Sequence, residues 1–364
     1  MLVLLVLGVL LGAAWAQTET VLYSFCAQND CPDGANPAAP LVFDQKGNLY
    51  GTTPYGGEKN SGTIFKLTPD GQETVLSSFC LQINCADGAQ PSSGLLFDHK
   101  GNLYGTTVSG GDRFFGTVFK LTPTGVKKIL YNFCEQNNCS DGNDPAGGLV
   151  FDQKGNLYGT TFEGGISCYL GCGVVFKLTP QGKETVLYRF CAETNCTDGE
   201  FPLGSMVIDK EGNLYGTTYQ GGANAYGTVF RLTPDGKETV LHSFGAPGDG
   251  KFPEAGLVFD QAGNLYGTTY QGGAHAYGTV FRLTPDGKET ILYSFCAREN
   301  CADGEGPQAG LVFDQKGSLY GTTLGGGIQL HGTVFKLTQT ATRRFSIASA
   351  SRPPVRTGQT LLRP

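Results

Sequence analysis

Twelve cysteines fall in close pairs along this 364-residue chain. Five pairs are C-x4-C: Cys26/Cys31, Cys80/Cys85, Cys134/Cys139, Cys191/Cys196 and Cys296/Cys301. A sixth, Cys168/Cys172, has one residue fewer between its members. Paired thiols can hold a metal, do redox chemistry or form a staple. A zinc site needs about four ligands, and the four histidines (His99, His242, His275, His331) do not accompany the pairs. The segment Phe244-Gly245-Ala246-Pro247-Gly248-Asp249-Gly250 stands where another pair would fall, and it has lost both cysteines together. Joint loss is what pairwise bonding predicts. The reading is six local disulfides and no free thiol, in an oxidising compartment. Each closed loop of about six residues contributes roughly 2 kcal/mol through loop-closure entropy.

Carboxylates offer a second chemistry. Asp33, Asp87, Asp141, Asp198, Asp249 and Asp303 are each followed by Gly. Calcium takes carboxylates and carbonyls in turns, so these are weak calcium candidates beside the simpler reading of an Asx-type turn. No other cofactor is expected. A third set lies in variable loops that contain a Gly-Gly pair: Tyr55, Arg113, Phe115, Tyr219, Gln220, Tyr226, Tyr270, Gln271, His275 and Tyr277. Tyrosine and phenylalanine rings there could stack on a sugar or a side chain, and near-identical loops could act as several weak sites together. No hydrolase elbow, zinc-protease or phosphate-loop motif is present. A single active site would need residues that break the repeat, and Asp112, Glu163 and Glu254 do.

The elements that carry these residues form a tandem repeat. L-Y-G-T-T recurs with its tyrosine at 50, 104, 158, 215, 266 and 320. Each unit reads G-L-V-F-D, a K-G-N turn, L-Y-G-T-T, a Gly-Gly loop, G-T-V-F-K-L-T, a P-D-G turn and E-T-V-L-Y-S-F. Four short runs rich in β-branched and aromatic residues, bounded by Gly, Asp, Asn or Pro, are strands and turns. The expected fold is an all-β, six-bladed β-propeller with four short antiparallel strands per blade; a β-helix fits less well. Residues 19–25 supply an E-T-V-L-Y-S-F strand ahead of the first blade, and none follows the sixth. The N-terminal strand is therefore expected to close the ring, with Arg344-Phe345-Ser346-Ile347 as the rival. Alternate loops of a meander share a face, so the cysteine loops and the Gly-Gly loops should lie together, and ligand binding is expected there.

At the ends, Leu2 to Leu11 followed by Ala14-Trp15-Ala16 reads as a signal peptide, residues 1–16. The propeller is expected over 17–338. Residues 339–364 read as a basic, disordered tail containing Arg343, Arg344, Arg352, Arg356 and Arg363. The net charge of −6 gives no basic footprint for nucleic acid, and no span of the mature chain is long enough to cross a membrane as a helix. Asn138-Cys139-Ser140 and Asn195-Cys196-Thr197 match the glycosylation sequon, but bonded cysteines there argue against modification.

The repeated motifs over about residues 19–338 resemble the Gloeo-Verruco (GloVer) repeat of exported bacterial proteins. The resemblance implies an exported repeat protein and no assigned activity. The cysteine pairs and the lack of an apolar C-terminal anchor depart from the family pattern. The functional expectation is a secreted or cell-surface, non-catalytic propeller that binds a glycan or an extracellular protein, or that serves as a matrix module. The alternative is a propeller hydrolase or lactonase acting on extracellular saccharides.

Overall fold

The structure is a computed structural model, and it describes residues 21–165, 171–327 and 330–338. The segment read as a signal peptide, the basic tail and Cys168 lie outside the described residues. The described chain is a six-bladed β-propeller. The first blade runs β1 (Val42–Phe43), β2 (Leu49–Thr53), β3 (Thr63–Leu67) and β4 (Glu73–Ser78), hydrogen-bonded in that order and antiparallel. Four further blades repeat this four-stranded sheet, and the sixth has three strands, Val312–Phe313, Leu319–Thr323 and Thr333–Leu337.

Local chemistry explains several recurring letters of the repeat. The aspartate of G-L-V-F-D ties the first hairpin. Asp44 Oδ1 accepts from the Lys46 and Asn48 amides, and its Oδ2 accepts from Asn48 Nδ2 and the Tyr50 hydroxyl. The Asn48 bond first among these holds the carboxyl down at about 2. The paired threonines meet across the next two strands, as with Thr53 and Thr63 hydroxyls at 2.8 Å. The glycine between tyrosine and threonine lies under a phenylalanine: a Cβ on Gly105 would fall 2.7 Å from Phe119 Cζ. A register shift between Ile64 and Phe65 recurs in the equivalent strand of four more blades and adds local twist.

Apolar side chains on both faces of each sheet pack against neighbouring blades. Between the first and second blades, Ile64 and Phe79 meet Leu95, Leu103 and Phe119. One edge-on ring pair recurs at each junction: Phe79–Phe119, Phe133–Phe176, Phe190–Phe230, Phe244–Phe281 and Phe295–Phe335, all at 5.0–5.2 Å.

The N-terminal segment makes the same contacts toward the first blade. Phe25 sits 4.7 Å from Phe65, and the Tyr23 hydroxyl donates to Asp33 as Tyr131 does to Asp141. Val21–Phe25 thus presents to the first blade the side chains of a sixth blade's outer strand, which is one half of the expected closure. Its other half, a ladder to Thr333–Leu337, is not among the described pairings. The seam shows it: Val334 is 57% exposed, while Ile64, Val118, Val175, Val229 and Val280 at the same position are fully buried. Phe43 across the seam is likewise exposed. The rival strand from the tail lies outside the described residues.

Candidate ligand-binding cleft

Five disulfides form as the spacing predicts, Cys26–Cys31, Cys80–Cys85, Cys134–Cys139, Cys191–Cys196 and Cys296–Cys301. Cys172 is also disulfide-bonded. Among the described residues no cysteine is free. Each stapled loop runs from the outer strand of one blade to the next blade and carries the Asp-Gly. These aspartates collect donors. Asp141 accepts from the Tyr131 hydroxyl at 2.7 Å and from the Glu135 and Gln136 amides. Asp198 and Asp303 repeat the pattern with Tyr188 and Tyr293. Asp33 takes Tyr23 and the Cys26 amide, Asp87 takes Lys127 and the Gln82 amide, and Asp249 takes His242 and the Gly245 amide. All six calcium candidates therefore organise the loop that leads into each blade.

The stapled loops and the Gly-Gly loops do share a face. The amides of Gly57, Gly111, Gly165, Gly222 and Gly327 donate to the carbonyls of Cys31, Cys85, Cys139, Cys196 and Cys301. Where the staple is missing, Gly273 donates to Asp249 instead. At each junction this frame sets the Gly-Gly loop of one blade beside the residues after Asp-Gly leading into the next.

What stands between them depends on one repeat position, the second residue after Asp-Gly. Phe201 fills it at the junction of the third and fourth blades, stacking on Phe162 at 5.0 Å. Phe252 fills it at the next junction, tilted over Tyr219 at 5.0 Å and edge-on to Tyr226 at 5.3 Å. Lys251 Nζ lies over the Tyr226 ring, 4.0 Å from its centroid. At the junction of the fifth and sixth blades the same position is Gly306, and the ring is gone. Its backbone is kept: φ is 60° at Phe201, 58° at Phe252 and 60° at Gly306. A cavity of about 260 Å³ opens there, lined by Tyr270, Gln271, Ala276, Tyr277, Glu305, Gly306, Leu324 and Gly325. Its two tyrosines occupy the places of Tyr219 and Tyr226. The Glu305 carboxylate lies over Gly325, within 2.7 Å of where a Cβ would stand.

The ten predicted ligand residues thus divide. Tyr270, Gln271 and Tyr277 line the cavity, while Tyr219 and Tyr226 hold Phe252 in the filled cleft and Gln220 pairs with Glu200 by backbone. Burial pushes the Tyr219 phenol up, helped by Glu254 and Tyr270 nearby. Tyr55, Arg113, Phe115 and His275 are exposed on their loops and do not line the cavity. Glu305 and Gly306 were missed. Their signal is the column Asn36, Gln90, Asp144, Phe201, Phe252, Gly306, in which glycine follows two phenylalanines.

Of the carboxylates that break the repeat, Asp112 accepts from Asn132 and Glu254 accepts from Gln308 at 2.7 Å. Glu163 lies near Asp144, whose carboxyl is raised to about 6 by burial and then by that neighbour. Small residues also approach closely across blades: Gly204 against Ala255 and Gly256, and Gly148 against Ser205. Among the described residues no helix is long and apolar enough to cross a membrane.

A ring of tandem units with stapled loops on one face defines a repeat propeller. The chain belongs to the Gloeobacter/Verrucomicrobia repeat family, whose pattern matches residues 7–172 and 170–357. No curated protein matches it. Among solved structures it is similar to a protein described as a candidate gluconolactonase, with 16% identity, a TM-score of 0.43, and 80% of this chain and 83% of that one covered. It is also similar to a luciferin-regenerating enzyme, with 14% identity, a TM-score of 0.49, and coverage of 85% and 94%. A third is PorZ, described as an essential bacterial surface component of the type-IX secretion system of Porphyromonas gingivalis. There the identity is 14%, the TM-score 0.50, and coverage 82% of this chain and 40% of that one. At these identities the likeness concerns the fold.

Proposed function

We propose that this chain is an exported, non-catalytic binding propeller whose cleft between the fifth and sixth blades takes one saccharide ring of a glycan. The observation that carries the reading is Gly306: it removes the ring that Phe201 and Phe252 supply, and Tyr270 and Tyr277 line the space beside it. A pyranose has an apolar face for Tyr270 and Tyr277 and hydroxyls for Gln271 and Glu305. The cavity of about 260 Å³ suits one such ring and not a long chain. Five disulfides support export to an oxidising space. The hydrolase alternative needs one convergent carboxylate cluster, and its best support is the Asp144–Glu163 pair. The test is a glycan array on the oxidised chain beside Tyr277→Ala. Selective binding that the variant loses supports the proposal, and binding unaffected by it contradicts the assignment of the cleft. Release of reducing sugar from a bound glycan would favour the hydrolase.

A further inference from the structure

The first position of the outer strands, opposite the Asp-Gly loops, holds a second pattern. In four units a glutamate at the start of an outer strand faces the aspartate: Glu73 faces Asp33, Glu184 faces Asp141, Glu238 faces Asp198 and Glu289 faces Asp249. One carboxylate oxygen of each of these glutamates, Oε1, is buried with no hydrogen-bond partner. In the second blade the same place is Lys127, whose Nζ lies 2.8 Å from Asp87 Oδ2. The locus therefore accepts a positive charge when one is supplied.

One unit differs in two ways at once. The loop Phe244–Gly250 has no cysteine pair, and its outer strand has His242 where Tyr23, Tyr131, Tyr188 and Tyr293 stand elsewhere. His242 Nε2 is 3.1 Å from Asp249 Oδ2. One ligand atom each from His242, Asp249 and Glu289 lie within 4.8 Å of one another. The Gly245 amide donates to Asp249 Oδ2 and the Gly250 amide to Oδ1, as outer-shell donors hold metal-ligating carboxylates. Glu289 comes from the next blade, so an ion here would tie the unstapled loop to its neighbour.

We infer that His242, Asp249 and Glu289 form a divalent-metal site of the zinc class, which replaces the disulfide in the one unit that lacks it. An imidazole nitrogen with two carboxylate oxygens is a zinc donor set, with ligand distances of about 2.0–2.2 Å and a fourth position left for water. Calcium, which prefers six to eight oxygens, does not suit it. The other clustered cysteines are bridged and are not part of this site.

The experiment titrates Zn²⁺, and Co²⁺ as a spectroscopic probe, into the full oxidised chain after chelator treatment. The comparison is His242→Tyr, the residue the repeat itself uses here, which keeps the hydrogen bond to Asp249 and should fold. Wild type is expected to bind one tight ion, to show tetrahedral Co²⁺ absorption and to melt higher with Zn²⁺. His242→Tyr should weaken binding at least about tenfold and lose the Co²⁺ bands. If that variant fails to fold, Glu289→Gln makes the same comparison. No zinc uptake by wild type overturns the site, as does equal uptake by the variants or a preference for Ca²⁺ that His242→Tyr leaves unchanged.

Discussion

Replacing Glu238 by Gln should stabilise the protein at alkaline pH and not at acid pH. Glu238 begins the outer strand of the fourth blade, and its Oε1 is buried without a partner. Burial first, then Asp198 and Glu193, raise its carboxyl from 4.5 to about 7. A folded-state pKa above the unfolded one means that the native chain binds the proton more tightly. Its stabilising effect is then complete below about 4.5 and lost as pH rises through about 7. Undamped, such a shift corresponds to about 3 kcal/mol. The side chain is partly exposed, so solvent screening brings the effect to about 1 kcal/mol, or roughly 2 °C in melting temperature. Glutamine is a permanent mimic of the protonated acid. The assay is thermal melting of both chains from pH 4.5 to 8.5. The gain of the variant over wild type should be near zero at the acid end and grow to its full size by pH 8. A gain that is flat across this range, or that shrinks as pH rises, would refute the reasoning.

Other consequences follow from the same geometry. Lys127→Met should cost about 3 kcal/mol in denaturant unfolding, because it strands the buried Asp87 carboxylate that Lys127 now pairs and removes the cation from the face of Phe79. Removing the Cys80–Cys85 bridge with paired serines should cost about 2 kcal/mol, and full reduction should lower the melting temperature in proportion to the bridges lost. Gly216→Ala should cost about 2 kcal/mol by equilibrium unfolding, since its Cβ would fall 2.7 Å from Phe230 Cζ.

The strands were legible because each is a short β-branched and aromatic run closed by Gly, Asn or Pro, and six copies reinforce one another. The disulfides were legible because C-x4-C permits only a local loop. The aspartates were seen as a pattern but not as the acceptors for Tyr131, Tyr188 and Tyr293, since these partners lie ten residues upstream on a strand whose facing only the fold reveals. The loop face was legible from meander topology. The cleft was not, because its signal is the absence of a side chain at Gly306, and glycine in a glycine-rich repeat reads as a turn. The seam between the sixth and first blades also escaped the sequence. The pattern supplies a closing strand but does not say whether Val334 is covered, and in the structure it is exposed.

The central claim is that Gly306 leaves a seat for a ligand ring between Tyr270 and Tyr277. The most direct measurement is saturation-transfer NMR of a panel of free monosaccharides with wild type and with Gly306→Phe. That variant restores the residue which Phe201 and Phe252 place at the same backbone angle. Its Cβ would stand 2.8 Å from Tyr270 Cε2, so the Tyr270 ring has to swing aside to admit it. The account predicts transfer to at least one sugar in wild type and its loss in Gly306→Phe, with the melting temperature preserved. Equal transfer in both chains, or none in wild type, would contradict it.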